Sequence, residues 1–176
     1  MIRPVYFIPL AFFVFFAGLA GFMLTQEKDQ FVESHMIGQP LPDFALRPAT
    51  ESRPGVSIDD FRDGQPKLLN IWASWCLPCI AEAPHLETLR QSGAQIVGVA
   101  IRDRPADVAN FLSRHGNPYS RIGADDLSAL QLELGSSGVP ETFVIDGDGT
   151  ILHQHIGDIR AEHVPELLAM LREARS

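Results

Sequence analysis

Residues 68–79, Leu-Leu-Asn-Ile-Trp-Ala-Ser-Trp-Cys-Leu-Pro-Cys, decide how the fold of this chain is interpreted. They join an apolar, strand-like run to a helix-like run, and they hold the only two cysteines of the chain, Cys76 and Cys79. Free backbone N–H groups at the start of a helix stabilise a thiolate and lower its pKa. Two thiols at this spacing can open and close a disulfide reversibly. The stretch therefore predicts dithiol–disulfide exchange.

The positions of the two cysteines predict different roles. Cys76 comes first, at what we expect to be the exposed edge of the turn, so it is predicted to be the attacking thiol. Cys79 lies one helical turn deeper and is predicted to resolve the mixed disulfide that this attack creates. Pro78 fits the first turn of a helix and stiffens the four-residue loop. We expect no cofactor other than the Cys76–Cys79 disulfide itself.

Two other uses of the cysteine pair stay open. The pair could be purely structural, or it could bind a metal ion with the help of a histidine. A tetrahedral metal site needs more ligands than two thiolates, and the six histidines of the chain are scattered. A c-type haem attachment needs a histidine directly after the second cysteine, where this chain has Ile80. We therefore expect no metal site.

The composition is that of a globular protein with one domain of ordinary size. The chain has 176 residues, of which 45% are hydrophobic and 20% are charged, and this balance is typical of a folded core rather than of disorder. The formal net charge of −8 argues against a nucleic acid as the partner, because the phosphate backbone attracts basic surfaces.

The N-terminal segment predicts a membrane anchor. Residues 5–24 carry no charge and are rich in Phe, Leu and Ile, and a helix of this length spans roughly 30 Å, the thickness of the hydrocarbon layer. Arg3 precedes the run, so the positive-inside tendency places the rest of the chain outside the cytoplasm. We predict an anchor with a short tail at residues 1–24, a stem at 25–36 and a folded domain at 37–176. A cleaved signal peptide, with Gly-Leu-Ala at residues 18–20 as its cleavage site, is the alternative.

The periodicity of the folded part predicts alternating strands and helices. Strands are predicted at residues 67–72, 95–101, 142–145 and 150–156. Helices are predicted at residues 79–91, 105–115, 126–134 and 161–175. The last two strands are joined by Gly-Asp-Gly, which is typical of a hairpin turn. This order predicts an α/β sheet with a parallel part and an antiparallel edge.

Three motifs together resemble the thioredoxin superfamily. They are Asn-Ile-Trp-Ala-Ser-Trp-Cys-x-Pro-Cys at residues 70–79, Gly-Asn-Pro-Tyr at 116–119 and Gly-Val-Pro-Glu-Thr-Phe at 138–143. The last two motifs are similar to those of the CcmG/DsbE branch, the membrane-anchored thiol:disulfide interchange proteins of cytochrome c maturation. The resemblance covers nearly all of the folded part. It implies a thioredoxin-like fold, a mixed sheet flanked by helices, preceded here by an N-terminal extension and a single transmembrane helix.

The resemblance also implies which residues support the active site. It implies that Pro140 is preceded by a cis peptide bond and packs beside Cys76. The backbone of Val139 would then face a bound peptide, which could pair with it like an added strand. Trp75 could shield the disulfide or line the surface on which a partner docks.

Two glutamates are candidates for a proton acceptor. Thioredoxin has a buried aspartate at the position of Asn70, and an amide cannot accept a proton in that way. Glu82 follows Cys79 by three residues on the same helix face, and Glu141 adjoins the proline motif. We expect one of them to take the proton of the resolving thiol. The alternative for Glu82 is an ordinary solvated carboxylate on a helix surface.

The resemblance implies a reductase in the inner membrane, single-pass, with its domain on the periplasmic side. It would accept electrons from a membrane thiol reductant of the DsbD/CcdA type. It would reduce the Cys-x-x-Cys-His disulfide of apocytochrome c, directly or through a thiol protein of the maturation machinery. The alternatives are a general extracytoplasmic oxidase or isomerase, a reductase similar to TlpA or ResA, and a metallochaperone that uses the two cysteines.

Overall fold

The computed structural model of the chain describes residues 12–19, 21 and 36–175. Residues 12–19 and 21 are helical with exposed side chains, and they belong to a different compact unit from the one that contains residues 36–175. Within these three stretches there is no helix that combines the length and the apolar character that a membrane crossing needs. The predicted anchor and stem lie mostly outside the described residues, so both stay predictions.

A five-stranded mixed sheet forms the centre of the folded unit. Its strands are β3 (Lys67–Trp72), β4 (Ile96–Ile101), β5 (Arg121–Asp125), β6 (Glu141–Ile145) and β7 (Ile151–Ile156), and their order in space is β5-β4-β3-β6-β7. The strands β3, β4 and β5 are parallel to one another. The strands β6 and β7 add an antiparallel edge next to β3. The predicted mixed sheet is thereby confirmed.

Helices connect and flank the strands. They are α1 (Leu77–Gln91), α2 (Pro105–His115), α3 (Ala129–Glu133) and α4 (His163–Glu173). Every residue of β3 and β4 is buried, because strands covered by helices on their faces have no solvated side. The helix α1 contacts both α2 and α4. Its first residue follows Cys76 directly, so only residues 73–76 separate the central, fully buried strand β3 from this helix.

The strand β5 was absent from the sequence prediction. Its five residues include glycine and aspartate, which have low strand propensity, and they become a strand by pairing in parallel with β4. A short two-stranded sheet of β1 (Ala45–Leu46) and β2 (Val56–Ser57), with a single turn of 3-10 helix after it, was also not predicted.

Several helix boundaries differ from the prediction for local reasons. The helix α1 begins at Leu77 rather than at residue 79, because Cys76 serves as its N-cap and Pro78 needs no N–H partner in the first turn. The helix predicted at 126–134 is shortened to α3, because the Asp125 carboxylate accepts the N–H groups of Ala129 and Gln131 and so caps a later start. The last helix spans α4 rather than residues 161–175.

A stack of aromatic rings holds the segment after α2 against the sheet. The rings of Trp72 and Tyr119 are parallel within 12°, with centroids 5.4 Å apart. Gly98 of β4 lies under both rings, where a Cβ atom would come within 2.9 Å of each side chain. Only a residue without a Cβ atom lets the two rings pack this closely against β4. This packing brings the Tyr119 hydroxyl to Asn70 in the middle of β3.

Candidate active site

The two cysteines form a disulfide at the N-terminus of α1. Cys76 and Cys79 have their Cα atoms 5.3 Å apart. Cys76 is the N-cap of the helix, and its Sγ accepts a hydrogen bond of 3.2 Å from the Cys79 N–H. This donor is one of the N–H groups that a helix start leaves without a partner. When Cys76 is reduced, the same N–H group can stabilise its thiolate.

The expected difference in exposure between the two cysteines is wrong. Cys76 was predicted at the exposed edge of the turn, but its exposed fraction is 4%, compared with 2% for Cys79. The reason is the N-cap geometry, which folds the Cys76 side chain back over the first turn of α1. The two residues between the cysteines, Leu77 and Pro78, are both exposed. The order of attack therefore has to follow from chemistry rather than from a large difference in burial.

The motif at residues 138–143 lies at the same edge of the sheet as the disulfide. The peptide bond between Val139 and Pro140 is cis, as the resemblance implies. The strand β6 begins directly after Pro140 and runs antiparallel to β3, with Glu141 opposite Ile71. Because an antiparallel strand begins where its neighbour ends, Pro140 lies at the end of β3 that leads into Cys76. Val139 is half-buried there.

Glu82 is a fully buried carboxylate rather than a solvated one. Its exposed fraction is 0%. One carboxylate oxygen accepts a hydrogen bond of 3.1 Å from the Asn70 amide, and the other accepts one of 3.2 Å from the Ile159 N–H. Side chains three residues apart on a helix lie about 5–6 Å apart at Cβ, so Glu82 and Cys79 lie on the same face of α1.

Burial makes Glu82 a proton acceptor near neutral pH. The pKa of the Glu82 carboxyl is raised from 4.5 to about 7, and desolvation by burial is the largest cause. The hydrogen bonds from the Ile159 N–H and the Asn70 amide lower the pKa and offset only part of this rise, and the nearby charge of Asp158 raises it further. A carboxyl with a pKa close to the working pH can both accept and return a proton.

Asn70 is the centre of a buried hydrogen-bond network. Its amide nitrogen donates to Glu82 and also to the Thr142 hydroxyl, at 3.1 and 3.0 Å. Its carbonyl oxygen accepts a hydrogen bond of 2.8 Å from the Tyr119 hydroxyl. Burial raises the pKa of Tyr119 well above its ordinary value of 10.0, so the hydroxyl remains a neutral donor. Asn70 therefore positions the acceptor instead of being one.

Glu141 is also buried, but its hydrogen bonds tie it to its own surroundings. One carboxylate oxygen accepts from the backbone N–H and the hydroxyl of Ser137, at 2.9 and 3.0 Å. The other accepts from the Gln154 amide at 3.0 Å. These bonds fasten the segment before Pro140 to the antiparallel edge, so the geometry favours Glu82 as the proton acceptor and Glu141 as a support for the loop.

Two large apolar side chains next to the disulfide in the sequence are exposed. Trp75 is 56% exposed and Leu77 is 76% exposed, whereas Trp72 is fully buried in the core. Exposed large apolar side chains beside a reactive group are typical of a surface that binds another protein.

Sequence reasoning missed three residues that arrange the site. Tyr119 was noticed only as part of the Gly-Asn-Pro-Tyr motif, and Ile159 carries no polar side chain that could have marked its N–H as a donor. Asp103 accepts hydrogen bonds from the Ser74 N–H at 2.6 Å and the Ser74 hydroxyl at 2.7 Å, and so fixes the loop before Trp75. The motif that contains Tyr119 was the one available signal.

No metal cluster is evident at the site. Within residues 12–19, 21 and 36–175, no group of three or more His, Cys, Asp or Glu side chains is arranged to hold a metal ion.

Comparison with known proteins gives the family. A family model described as Redoxin matches residues 36–171. The chain belongs to the Redoxin family. Within this family it is similar to the thiol:disulfide interchange protein HelX of Rhodobacter capsulatus, with 39% identity over 173 residues, 96% of this chain and 98% of the relative. It is also similar to the thiol:disulfide interchange protein DsbE of Escherichia coli, with 36% identity over 163 residues, 90% and 88% of the two chains.

A solved structure of this family has the same fold. A DsbE-named thiol:disulfide interchange protein from Chlorobium tepidum superposes with a TM-score of 0.68 at 28% identity, over 80% of this chain and 98% of that one. The thioredoxin-like fold is thereby confirmed. The Cys76–Cys79 disulfide in this fold, together with these relatives, makes this Redoxin protein a thiol:disulfide oxidoreductase.

We predict that Glu82 makes the stability of the protein depend on pH. Its pKa is higher in the folded than in the unfolded chain, so its stabilising contribution is complete below pH 4.5 and is lost as the pH rises through about 7. The loss amounts to on the order of 3 kcal/mol. Urea denaturation of oxidised wild type and Glu82→Gln at several pH values measures it. The difference between the two proteins should change over this range; a constant difference would contradict the raised pKa.

We predict that Tyr119→Phe shifts this titration. The substitution keeps the stack on Trp72 but leaves the carbonyl oxygen of Asn70 buried without a donor, which costs about 1–3 kcal/mol of unfolding free energy. The Asn70 amide is then no longer oriented toward Glu82, and the pKa of Glu82 should rise further above about 7. Carboxyl titration by NMR measures this pKa directly. In a Glu82→Gln background the stability loss should remain and the titration should be absent.

Proposed function

We propose that this protein is a periplasmic, membrane-anchored reductase of protein disulfides that acts in cytochrome c maturation. Its acceptor would be the oxidised Cys-x-x-Cys-His pair of apocytochrome c, reached directly or through a thiol protein of the maturation machinery. The observation that carries the reductase assignment is the Cys76–Cys79 pair with the buried Glu82 carboxyl one helical turn behind it. Its similarity to HelX and DsbE supports the assignment to this pathway.

The first step is attack on the partner. The Cys76 thiolate, stabilised by the Cys79 N–H at the helix start, attacks one sulfur of the partner's disulfide. The bond between the two partner sulfurs breaks, and the other partner sulfur leaves as a thiolate that takes up a proton. A mixed disulfide now joins Cys76 to the partner. The exposed Trp75 and Leu77 surround this bond on the protein surface.

The second step releases the partner. The thiol of Cys79 gives its proton to the Glu82 carboxylate and attacks the Sγ of Cys76. The mixed disulfide breaks, the second partner sulfur leaves as a thiolate that takes up a proton, and Cys76 and Cys79 are joined again. Two electrons have passed from this protein to the partner. A carboxyl whose pKa is about 7 is charged in a large fraction of molecules at neutral pH, so it can accept this proton.

A membrane thiol reductant of the DsbD/CcdA type would restore the reduced protein by the reverse exchange. It attacks the Cys76–Cys79 disulfide, becomes oxidised itself and leaves two thiols behind. The direction of electron flow requires that this reductant have a lower potential than the pair and that the acceptor have a higher one. A strongly oxidising potential measured against glutathione would favour the oxidase or isomerase alternative instead.

The uncharged run at residues 5–24 would hold the domain close to both of its partners. A tether keeps the protein within reach of the membrane and raises the effective concentration of a membrane-bound donor. The stem at residues 25–36 would allow the domain to move between donor and acceptor at the membrane surface.

We predict that Cys79→Ser traps the partner. Without the resolving thiol, the mixed disulfide on Cys76 cannot be released by the internal route, so a disulfide-linked adduct should accumulate in cells and be removed by reductant. Mass spectrometry of the adduct identifies the partner. The matched variant Cys76→Ser should give far less adduct, since it lacks the attacking thiol. Equal trapping by both variants would contradict the assigned roles.

We predict that the N-terminal segment retains the protein in the membrane. The full-length chain should stay with the membrane fraction after an alkaline wash, because about 20 apolar residues in a helix span the bilayer. A chain without residues 1–24, exported by an unrelated cleavable leader, should be soluble. N-terminal sequencing of the full-length protein separates the two possibilities: a new N-terminus near residue 20 indicates a cleaved signal peptide and contradicts the anchor.

A further inference from the structure

A cavity of about 640 Å³ opens beside the active-site loop, on the side of Trp75. Ser74, Trp75 and Ile80 form the wall nearest the disulfide. The opposite wall consists of the segment 102–104, which follows β4, and of one face of α2. The exchange chemistry described above uses none of the side chains of this opposite wall.

The opposite wall is basic, although the protein as a whole is acidic. It contains the guanidinium groups of Arg102, Arg104 and Arg114, with the His115 ring at its end. The carboxylates in the wall are those of Asp103 and Asp107. The chain has a formal net charge of −8, so three arginines around one cavity are a local reversal of sign.

Both carboxylates of the wall are already occupied. Asp103 accepts from the N–H and hydroxyl of Ser74 at 2.6 and 2.7 Å. Asp107 forms an ion pair of 2.5 Å with Arg104. Within residues 36–175, by contrast, the guanidinium groups of Arg102 and Arg114 have no hydrogen bond or ion pair. The cavity therefore presents two free cations to whatever enters it.

We propose that this cavity binds the carboxylate of an acidic side chain that flanks the target cysteines of the partner polypeptide. A guanidinium recognises a carboxylate through two parallel hydrogen bonds, and two such groups are free here. A polyanion is disfavoured, because its many negative charges would lie close to the carboxylates of Asp103 and Asp107. The inference rests on the proposed reduction of protein disulfides and adds to it the chemical class of the preferred partner.

The position of the cavity explains why the ligand is part of a polypeptide. Trp75 forms its wall and immediately precedes Cys76, and Trp75 is 56% exposed. A peptide whose cysteine reaches Cys76 can run over the Trp75 ring and place a residue a few positions away, at about 3.3 Å per residue, into the cavity. The arginines then act on association with the partner and leave the exchange of sulfurs unchanged.

The test uses the full-length protein, reduced, and a set of synthetic peptides with one intramolecular Cys-x-x-Cys disulfide. The peptides carry either two Glu or two Gln residues flanking the disulfide, on its N-terminal or its C-terminal side. The second-order rate of peptide reduction is measured by stopped flow at low and at high salt. For exposed charge pairs we expect wild type to reduce the better-placed Glu peptide about threefold to tenfold faster than its Gln counterpart at low salt. The preference should shrink at high salt, because exposed charges are screened.

Two matched double variants locate the preference. Arg102→Gln/Arg114→Gln should reduce the Glu and Gln peptides at nearly equal rates, while its rate with the Gln peptide stays close to that of wild type. Arg172→Gln/Arg175→Gln removes the same amount of positive charge elsewhere, from the last turn of α4 and from the residues just after it. This variant should keep the preference for the Glu peptide. Arg172 and Arg175 are both exposed, so neither pair of substitutions removes a core contact.

Three results would overturn the proposal. In the first, wild type reduces the Glu and Gln peptides at equal rates at low salt. In the second, the Arg172→Gln/Arg175→Gln variant loses the preference as fully as the Arg102→Gln/Arg114→Gln variant, which would mean that the net charge of the whole protein causes the preference. The third result is that wild type reduces no peptide although Cys76 reacts with a small aromatic disulfide. That outcome overturns the proposed protein-disulfide reductase as well, whereas the first two leave it standing.

Discussion

A single buried amide connects the parts of this protein that matter for its chemistry. Asn70 lies in the central strand β3, fully buried, and all of its polar atoms have partners: Tyr119, Thr142 and Glu82. These partners belong to the segment after α2, to β6 and to α1. A buried polar group left without a partner costs about twice what a formed hydrogen bond contributes. The requirement to satisfy Asn70 therefore holds these elements, and with them the Glu82 carboxyl, in one arrangement.

The same arrangement resolves an apparent departure from the thioredoxin pattern. An asparagine at the position of a buried acid would leave the resolving thiol without a proton acceptor. Here the acid is supplied by the helix instead of by the strand, and the asparagine donates to it. Burial brings the pKa of Glu82 to about 7, and the bond from Asn70 keeps it from rising further.

The net charge of the chain and the charge beside the active-site loop have opposite signs. A net charge of −8 describes the chain, yet three arginines converge on one side of the active-site loop. Two of them, Arg102 and Arg104, lie in the segment between β4 and α2, and Arg114 lies in the last turn of α2, so the turns of the helix bring it back to the same cavity. The net charge argues against a nucleic acid as the partner. It does not indicate which charged side chains meet at one cavity.

The sequence by itself determined the thiol pair, the junction of strand and helix that activates it and the mixed sheet, because these depend on local spacing and periodicity, and its motifs carried the resemblance to the thioredoxin superfamily. Tertiary structure alone decided that Glu82 is buried, that Cys76 is as covered as Cys79, that residues 121–125 form a strand and that Tyr119 reaches Asn70. Each of these results depends on segments far apart in the chain packing together. The desolvation and pairing that follow from such packing cannot be read from the order of the residues.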